Sequence, residues 1–483
     1  MLLLSSYISE GIPEYGKDLI NRFMRFFRPR NVAVVGASRE PGRVGYAVVK
    51  NLIDGGYTGK IYPINPRATE ILGLKCYPDI RQVPDPEVDA ALISIPAAMV
   101  PDVIPSLGEK NVPVAVVVSS GFAEAGNPEL QQKLVETARK YGVRIIGPNT
   151  YGIYSPWYNL SLSFTIPYTY KGGLAIVCQS GGVGMAAFGY ARWKKVGISI
   201  NVGLGNMADI DHSDLLWYFY ADENTKAIAF HMESIRDGKK FIETAKFVSK
   251  KKPIVVLKAG RTHYGEKAAK SHTAALTASD AVINAAFKKA GVIRVYALDE
   301  LFDIGRSLAM LPPPNGENVL IVTMAGGLGV LLSDAAADNN LYLMEAPQDL
   351  VDEFKKFVPP FGAFGNPMDI TGSCTPDMVE RAVRLAIMHP KVDAVIIGHW
   401  HTIITTPMQF AKAVVDAVNE ARAKGIEKPI VVSMSGDIPE TLQAVEYIEE
   451  HANVPTFFVQ PERAVKALGA LYYWARYAGM LKK

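Results

Sequence analysis

The side chains able to do chemistry are few, and they lie in short polar segments. His272 sits in KSHTAALTASDAV, after the apolar run PIVVLKAG and the polar stretch RTHYGEKAAK, at the mouth of a new helical pattern. An imidazole among small residues has little packing duty. It can accept a phosphoryl group on one ring nitrogen if the other nitrogen donates its proton to an acceptor that fixes the tautomer. A carboxylate serves best, and Glu233, at the end of AIAFHMES, stands at the carboxyl end of a predicted strand, where α/β sheets gather their sites. Each has a plainer alternative: His272 as a polar residue beside the helix caps Ser271 and Thr273, Glu233 as a first-turn carboxylate.

Three segments repeat one design, an apolar run, then small and glycine residues, then a helical pattern: NVAVVGAS from Asn31, GLAIVCQSGGVGMAAFGYA from Gly173 and NVLIVTMAGGLGVLLSDAAAD from Asn318. A helix start leaves N–H groups unpaired and favours negative charge, so such turns suit phosphate, although many serve only close packing. In the second, Ser180 adds a hydroxyl beside Gly181 and Gly182; it reads as a phosphate cradle or as a serine N-cap. The third, Ala325-Gly326-Gly327, lacks the hydroxyl and fits packing or a partner's phosphate equally.

Other matches fail on inspection. The first turn, GASREPGRVG from Gly36, lacks G-x-G-x-x-G, and Asn65 in INPR stands where a dinucleotide site needs a ribose-binding carboxylate. GLGNMA at Gly203 is a chance match. GIPEYGKD at Gly11 resembles an ATP loop but has Asp18 where the Mg²⁺-binding hydroxyl belongs, and no strand before it. His399 and His401 flank Trp400 without an evident third ligand, so no metal site is expected. Asp209, Asp211 and Asp214 resemble a fragment of a calcium loop without its later glycine and glutamate, and read instead as a solvated helix start.

The elements that must position these groups follow from the alternation of apolar strand-like runs with helical stretches, as in βαβ units. KIYPINP, AALISIP, VPVAVVVSSG and VRIIGPN fill the first third; SINVGLGN, AIAFHME and PIVVLKAG the second; AVIIGHW and PIVVSMSG the last. The fold class is therefore α/β with three doubly wound domains. Breaks near Tyr151 to Lys171 and at LPPPNGEN divide the chain into an N-terminal arm (1–20) and domains at 21–150, 151–312 and 313–483.

Bulk composition agrees. A net charge of +3 spread along 483 residues leaves no nucleic-acid footprint. Three distant cysteines argue against disulfides and structural zinc and fit the cytoplasm. No apolar run reaches membrane-spanning length, and the apolar start MLLLSSYISEGIPEYG, without a basic region before it, reads as a surface arm.

In combination, VVGAS with the later PGRVGY, INPR, SSGFAE, IGPNTYG, QSGGVG, GNMADID, HMESIRDGKKF, KAGRTHYGEKAAKSHTAAL and GNPMDITG resemble one family. It is the α subunit of nucleoside-diphosphate-forming acyl-CoA synthetases, as in the archaeal ADP-forming acetyl-CoA synthetases, and more distantly the succinyl-CoA synthetase α subunit. The resemblance spans about residues 20–483. It implies a Rossmann-like CoA-binding domain followed by two flavodoxin-like domains. Gly36, Ala37, Ser38, Arg43, Asn65, Ser119, Ser120 and Gly121 would line the coenzyme A crevice. His272 would become phosphorylated, steadied by Glu233, with Ser180, Gly181 and Gly182 holding phosphate.

The implied reaction interconverts acyl-CoA, ADP and phosphate with a carboxylic acid, coenzyme A and ATP through an acyl phosphate and a phosphohistidine. Coenzyme A is then a substrate, while Mg²⁺ and ADP or ATP are expected on an ATP-grasp β subunit, in an α2β2 assembly. Two departures stand out: Ala274 replaces the glycine of the common SHTGAL, and Met185 follows QSGG, which suits a less polar acyl group. The alternative is a non-catalytic coenzyme A-binding regulatory module; relatives of that kind are fused to acetyltransferases and often lack the histidine, whereas this chain has His272 with Glu233 and no evident acetyltransferase segment. A nicotinamide dehydrogenase lacks its ribose carboxylate here.

Overall fold

Uninterrupted runs of Val, Ile and Ala are stable only where both faces of a strand are covered, and NVAVV, AALI and VAVV are accordingly buried at every residue. In the computed structural model, which describes residues 11–265, 267 and 279–481, they are β1 (Asn31–Val35), β5 (Ala90–Ile93) and β6 (Val114–Val117). With β2 (Lys60–Ile64) and β7 (Arg144–Ile146) they form a parallel sheet in the order β2-β1-β5-β6-β7. A small hairpin of β3 (Glu70–Ile71) and β4 (Leu74–Lys75) follows β2. The strand period of two sorts the core. Val32 and Val34 face α1 (Glu14–Phe27) and α2 (Val44–Asp54), whereas Ala33 and Val35 join the core under α3 (Val100–Glu109) and α4 (Pro128–Lys140).

The second sheet runs β14-β13-β12-β10-β11-β8-β9. Its parallel body is β10 (Lys171–Cys178), β11 (Ile198–Gly203), β12 (Ala227–Met232), β13 (Ile254–Lys258) and β14 (Ile293–Val295). The antiparallel pair β8 (Gly152–Ser155) and β9 (Leu160–Ser163) extends its β11 edge. Helices α5 (Gly181–Trp193), α6 (His212–Ala221), α7 (Gly238–Val248) and α8 (Asp280–Lys289) connect the strands. In both sheets the first parallel strand lies between the second and third, so the topological switch points fall between β1 and β5 and between β10 and β12.

These two sheets belong to one compact unit, Met1–Leu301; a second comprises Phe302–Lys483. The latter holds the third sheet: β15 (Asn318–Thr323), β16 (Tyr342–Leu343), β17 (Ala363–Phe364), β18 (Met368–Asp369), β19 (Ala394–Trp400), β20 (Ile430–Ser435) and β21 (Thr456–Phe458). Its order is β17-β18-β15-β19-β20-β21, with β16 also paired to β15. The α/β class with doubly wound parallel sheets is therefore present in all three parts.

Two boundaries differ from expectation. Residues 14–20 are no arm: they open α1, whose Leu19, Ile20, Phe23, Phe26 and Phe27 are buried, with the Phe27 ring 4.7 Å from that of Tyr218 on α6. The apolar spacing of LINRFMRFF needs a partner, and α6 supplies it. The unit boundary falls at Leu301/Phe302 rather than after residue 312, within α9 (Leu298–Met310). There Asp303 pairs with Arg463, and Arg306 with Glu449, tying the helix to the second unit.

Candidate functional site

At the first switch point the chain leaves β1 through Gly36, whose φ of +88° suits glycine, and a Cβ there would lie 2.2 Å from the Ser94 carbonyl oxygen after β5. Asn65, after β2, donates through Nδ2 to the Ala37 carbonyl at 2.7 Å, and Ser119 Oγ, after β6, donates to the Ile95 carbonyl at 2.5 Å. The structure thus gathers Gly36, Ala37, Asn65 and Ser119 at the carboxyl edge of one sheet. Ser38 Oγ accepts the Glu40 N–H at 3.0 Å, and exposed Arg43 pairs with Glu40 at 3.2 Å. Ser120 is exposed, and Gly121 donates its N–H to Glu124 Oε1 at 2.6 Å.

At the second switch point, Gln179 follows β10 and Glu233 follows β12. Gln179 Oε1 accepts the N–H groups of Glu233 and Ser234, which draws the half-buried Glu233 beside the start of α5. Ser180 is the N-cap of α5, its Oγ accepting the Val183 N–H at 3.3 Å, so the capping reading of Ser180 holds. A Cβ at Gly181 or Gly182 would meet nothing within 4 Å, leaving this helix start open to an oxyanion. Gly184 is needed for close approach, since a Cβ there would come within 2.3 Å of the Tyr151 ring. Met185 is 47% exposed on the same helix. His272 lies outside the described residues.

Burial shifts the titration of the neighbouring groups. Burial pulls His212 and His231 down to about 4 and pushes the Cys178 thiol up to about 12. Lys258, at the end of β13, donates to the Glu233 carbonyl at 2.8 Å, and burial, followed by the charge of Arg294, lowers its pKa. Sequence reasoning gave no role to Gln179 or Lys258. Gln179 stood in the quoted turn, but only the pairing of β10 with β12 shows what its amide reaches.

The aspartate cluster corrects the expectation of a solvated helix start. Asp209, Asp211 and Asp214 are at most 5% exposed. Asp211 and Asp214 form the capping box of α6; Arg144 pairs with Asp209 at 2.7 Å and Asp214 at 3.2 Å, and Lys240 reaches Asp211 and Asp214. Burial raises the Asp209 pKa, but Arg144 outweighs it and the net shift is downward; for Asp214 burial and the Asp211 charge prevail, upward. In the second unit, α10 (Gly326–Asp338) starts at the third glycine turn, and its N-cap Ala325 offers no side-chain bond. Among the described residues no three His, Cys, Asp or Glu side chains converge on a metal geometry, and no helix is long and apolar enough to cross a membrane.

Comparison with known proteins divides the chain in three, with the second match running past Leu301. A family model described as a CoA binding domain matches residues 30–156, one described as a succinyl-CoA ligase like flavodoxin domain matches 171–308, and a Ligase-CoA domain matches 319–482. The α subunit of an ADP-forming acetate–CoA ligase (isoform I) of Pyrococcus furiosus is 44% identical over 95% of this chain and 98% of its own length. An ADP-forming acetate–CoA ligase of Methanocaldococcus jannaschii is 39% identical over 95% of this chain, which spans 64% of that protein. Among solved structures, the Ca. Korarchaeum cryptofilum dinucleotide-forming acetyl-coenzyme A synthetase 1, in complex with phosphate and ADP, superposes with a TM-score of 0.90 at 42% identity. That match covers 94% of this chain and 97% of the other.

Proposed function

The chain belongs to the family of ADP-forming acetate–CoA ligase α subunits, and from that premise we propose how its residues divide the work of an acyl-CoA ligase. Residues 21–150 bind coenzyme A, residues 151–312 carry the phosphoryl group, and residues 313–483 form a further flavodoxin-like domain. The enzyme interconverts acyl-CoA, ADP and phosphate with a carboxylic acid, coenzyme A and ATP.

The observation that carries this reading is the Gln179 bridge, which brings an open helix start and a carboxylate together at one switch point. Phosphate is held by the backbone N–H groups at Gly181 and Gly182, beside Ser180, while it attacks the thioester carbonyl and displaces the coenzyme A thiolate. The resulting acyl phosphate passes its phosphoryl group to one nitrogen of His272 and leaves as the carboxylate. Glu233 accepts a hydrogen bond from the N–H of the other nitrogen and steadies the charged ring. Gly36, Ala37, Ser38, Arg43, Asn65, Ser119, Ser120 and Gly121 line the coenzyme A crevice. The glycine turn at Gly36 and the uncapped start of α2, at Arg43, suit its phosphates.

Nucleotide and Mg²⁺ are bound by an ATP-grasp β subunit, in an α2β2 assembly. The test is to mix the chain with that partner, acetyl-CoA, ADP, phosphate and Mg²⁺ and to follow ATP. His272→Ala should abolish ATP formation with coenzyme A binding intact; full activity of that variant overturns the assignment.

A further inference from the structure

The segment joining β11 to α6 does more than connect them. Its start is fixed to the second sheet, where the Leu204 N–H bonds the Cys178 carbonyl at the end of β10 at 2.9 Å. It then runs along the carboxyl end of β7 in the first sheet. Asn206, Ala208 and Ile210 donate their N–H groups to Pro148, Gly147 and Ile145 at 2.9, 3.0 and 3.1 Å. Gly205, with φ +55°, passes so close that a Cβ would lie 2.3 Å from the Pro148 carbonyl oxygen.

Two side chains anchor this segment to the two candidate sites. On the coenzyme A side, Glu124 Oε1 accepts the Gly121 N–H at 2.6 Å and the Phe122 N–H at 3.2 Å, while its Oε2 accepts from Asn206 Nδ2. Asn206 also reaches Gln131 at 3.0 Å, and Asn149 donates to its Oδ1 at 3.3 Å. Burial opposes the Glu124 charge, yet these donors hold its pKa below the usual value, so the carboxylate is the bonded form. On the other side, Arg236, three residues after Glu233, directs Nη1 at the carbonyls of Met207, Ala208 and Asp209 at 3.2, 2.9 and 2.8 Å. One guanidinium nitrogen, its two hydrogens shared among three successive carbonyls, ties the loop to the turn that bears Glu233.

We propose that residues 205–209, with Glu124 and Arg236 as anchors, form a strut that holds the Ser119–Gly121 turn and the Glu233 turn in one register. The role is positioning: none of these groups touches a reacting atom. Coenzyme A held at one switch point must present its thioester to the phosphate held at the other, and a shift near 1 Å in such a geometry costs on the order of a hundredfold in rate. The proposal rests on the function assigned above.

The test uses the chain reconstituted with its ATP-grasp partner. Wild-type turnover is measured first, so a wrong functional assignment shows as no wild-type ATP formation. Asn206→Asp sets a carboxylate against Glu124 and should raise KM for acetyl-CoA about tenfold, with lower kcat. Glu124→Gln combined with Asn206→Asp restores a donor and an acceptor in exchanged places and should recover most of both. Arg236→Met should lower kcat and phosphohistidine yield about tenfold, with the coenzyme A Kd of the isolated chain within about twofold of wild type. Wild-type kinetics for Asn206→Asp, no recovery in the double variant, or equal losses of Kd and kcat for Arg236→Met each overturn the strut.

Discussion

Gln179 grips the turn of Glu233 with both ends of its amide: Oε1 accepts the Glu233 N–H at 2.9 Å and the Ser234 N–H at 3.0 Å, and Nε2 donates to Ser234 Oγ at 2.8 Å. Its own N–H bonds the His231 carbonyl at 3.1 Å, so one residue spans the gap between β10 and β12 at the switch point. The side chain is 5% exposed, and water cannot easily replace it.

Gln179→Leu strips two N–H groups of their acceptor and is expected to cost roughly 1–3 kcal/mol of stability. Because the Glu233 turn is then unheld, the yield of acid-labile phosphohistidine from acyl-CoA and phosphate should fall at least about tenfold. Gln179→Glu keeps the acceptor and should retain more of both. The comparison is made by urea denaturation and by phosphorylation of the chain; an undiminished phosphohistidine yield in Gln179→Leu removes Gln179 from any positioning role.

The start of α5 allows a test in which stability and function move apart. Gly182 faces open space, and α5 has no acidic residue in its first turn, so Gly182→Asp introduces no clash. An aspartate there interacts favourably with the helix dipole, by about 0.3–1 kcal/mol, and should leave the melting temperature equal or higher. The same charge stands where phosphate is proposed to bind. KM for phosphate should therefore rise more than about tenfold while KM for acetyl-CoA stays put. An unchanged KM for phosphate would take the helix start out of the phosphate site.

How far the sequence carries can be seen in particular residues. The strands were legible because their apolar runs are uninterrupted, and the helix starts because glycine and serine follow them directly. The helix start at Gly181, the Glu233 strand end and the Asn65 strand end therefore stand where the sequence placed them. Asp209, Asp211 and Asp214 were misread because their partners are remote in sequence: Arg144 comes 65 residues before Asp209, and Lys240 follows Asp214 by 26. Local charge patterning cannot distinguish a solvated acidic cluster from one sealed by distant cations. Glu124 and Arg236 were visible inside SSGFAE and HMESIRDGKKF, yet nothing local shows that both reach the segment after β11.

That buried ion network supplies the third prediction. Arg144 joins β7 of the first sheet to Asp209 and Asp214, both nearly inaccessible to water. Removing one member of a buried pair leaves the other charge without compensation, at a cost of about 3–5 kcal/mol. Arg144→Met should destabilise the first unit by that amount, read from its denaturant midpoint. A loss under about 1 kcal/mol would mean that Arg139 and Lys240 suffice to hold the aspartates.

The second unit offers a pH test. His399 on β19 is fully buried against Phe410, with ring centroids 4.5 Å apart and neither ring nitrogen hydrogen-bonded. Burial first, and the charge of His401 second, bring its pKa down to about 4 from 6.5. Between those values the unfolded chain binds a proton that the folded chain refuses, so stability falls as pH drops from about 6.5 towards 4 and is fully present above that window. His399→Leu keeps comparable volume and strands no partner, and should change stability at pH 7 by less than about 1.5 kcal/mol. It should also flatten the acid sensitivity of this unit. Hydrogen exchange of the β19 amides at pH 7 and pH 5, corrected for the intrinsic pH dependence of exchange, reads the effect where it arises. Equal loss of protection in wild type and His399→Leu would assign the acid sensitivity to other groups, since an aliphatic side chain at position 399 has no proton to bind.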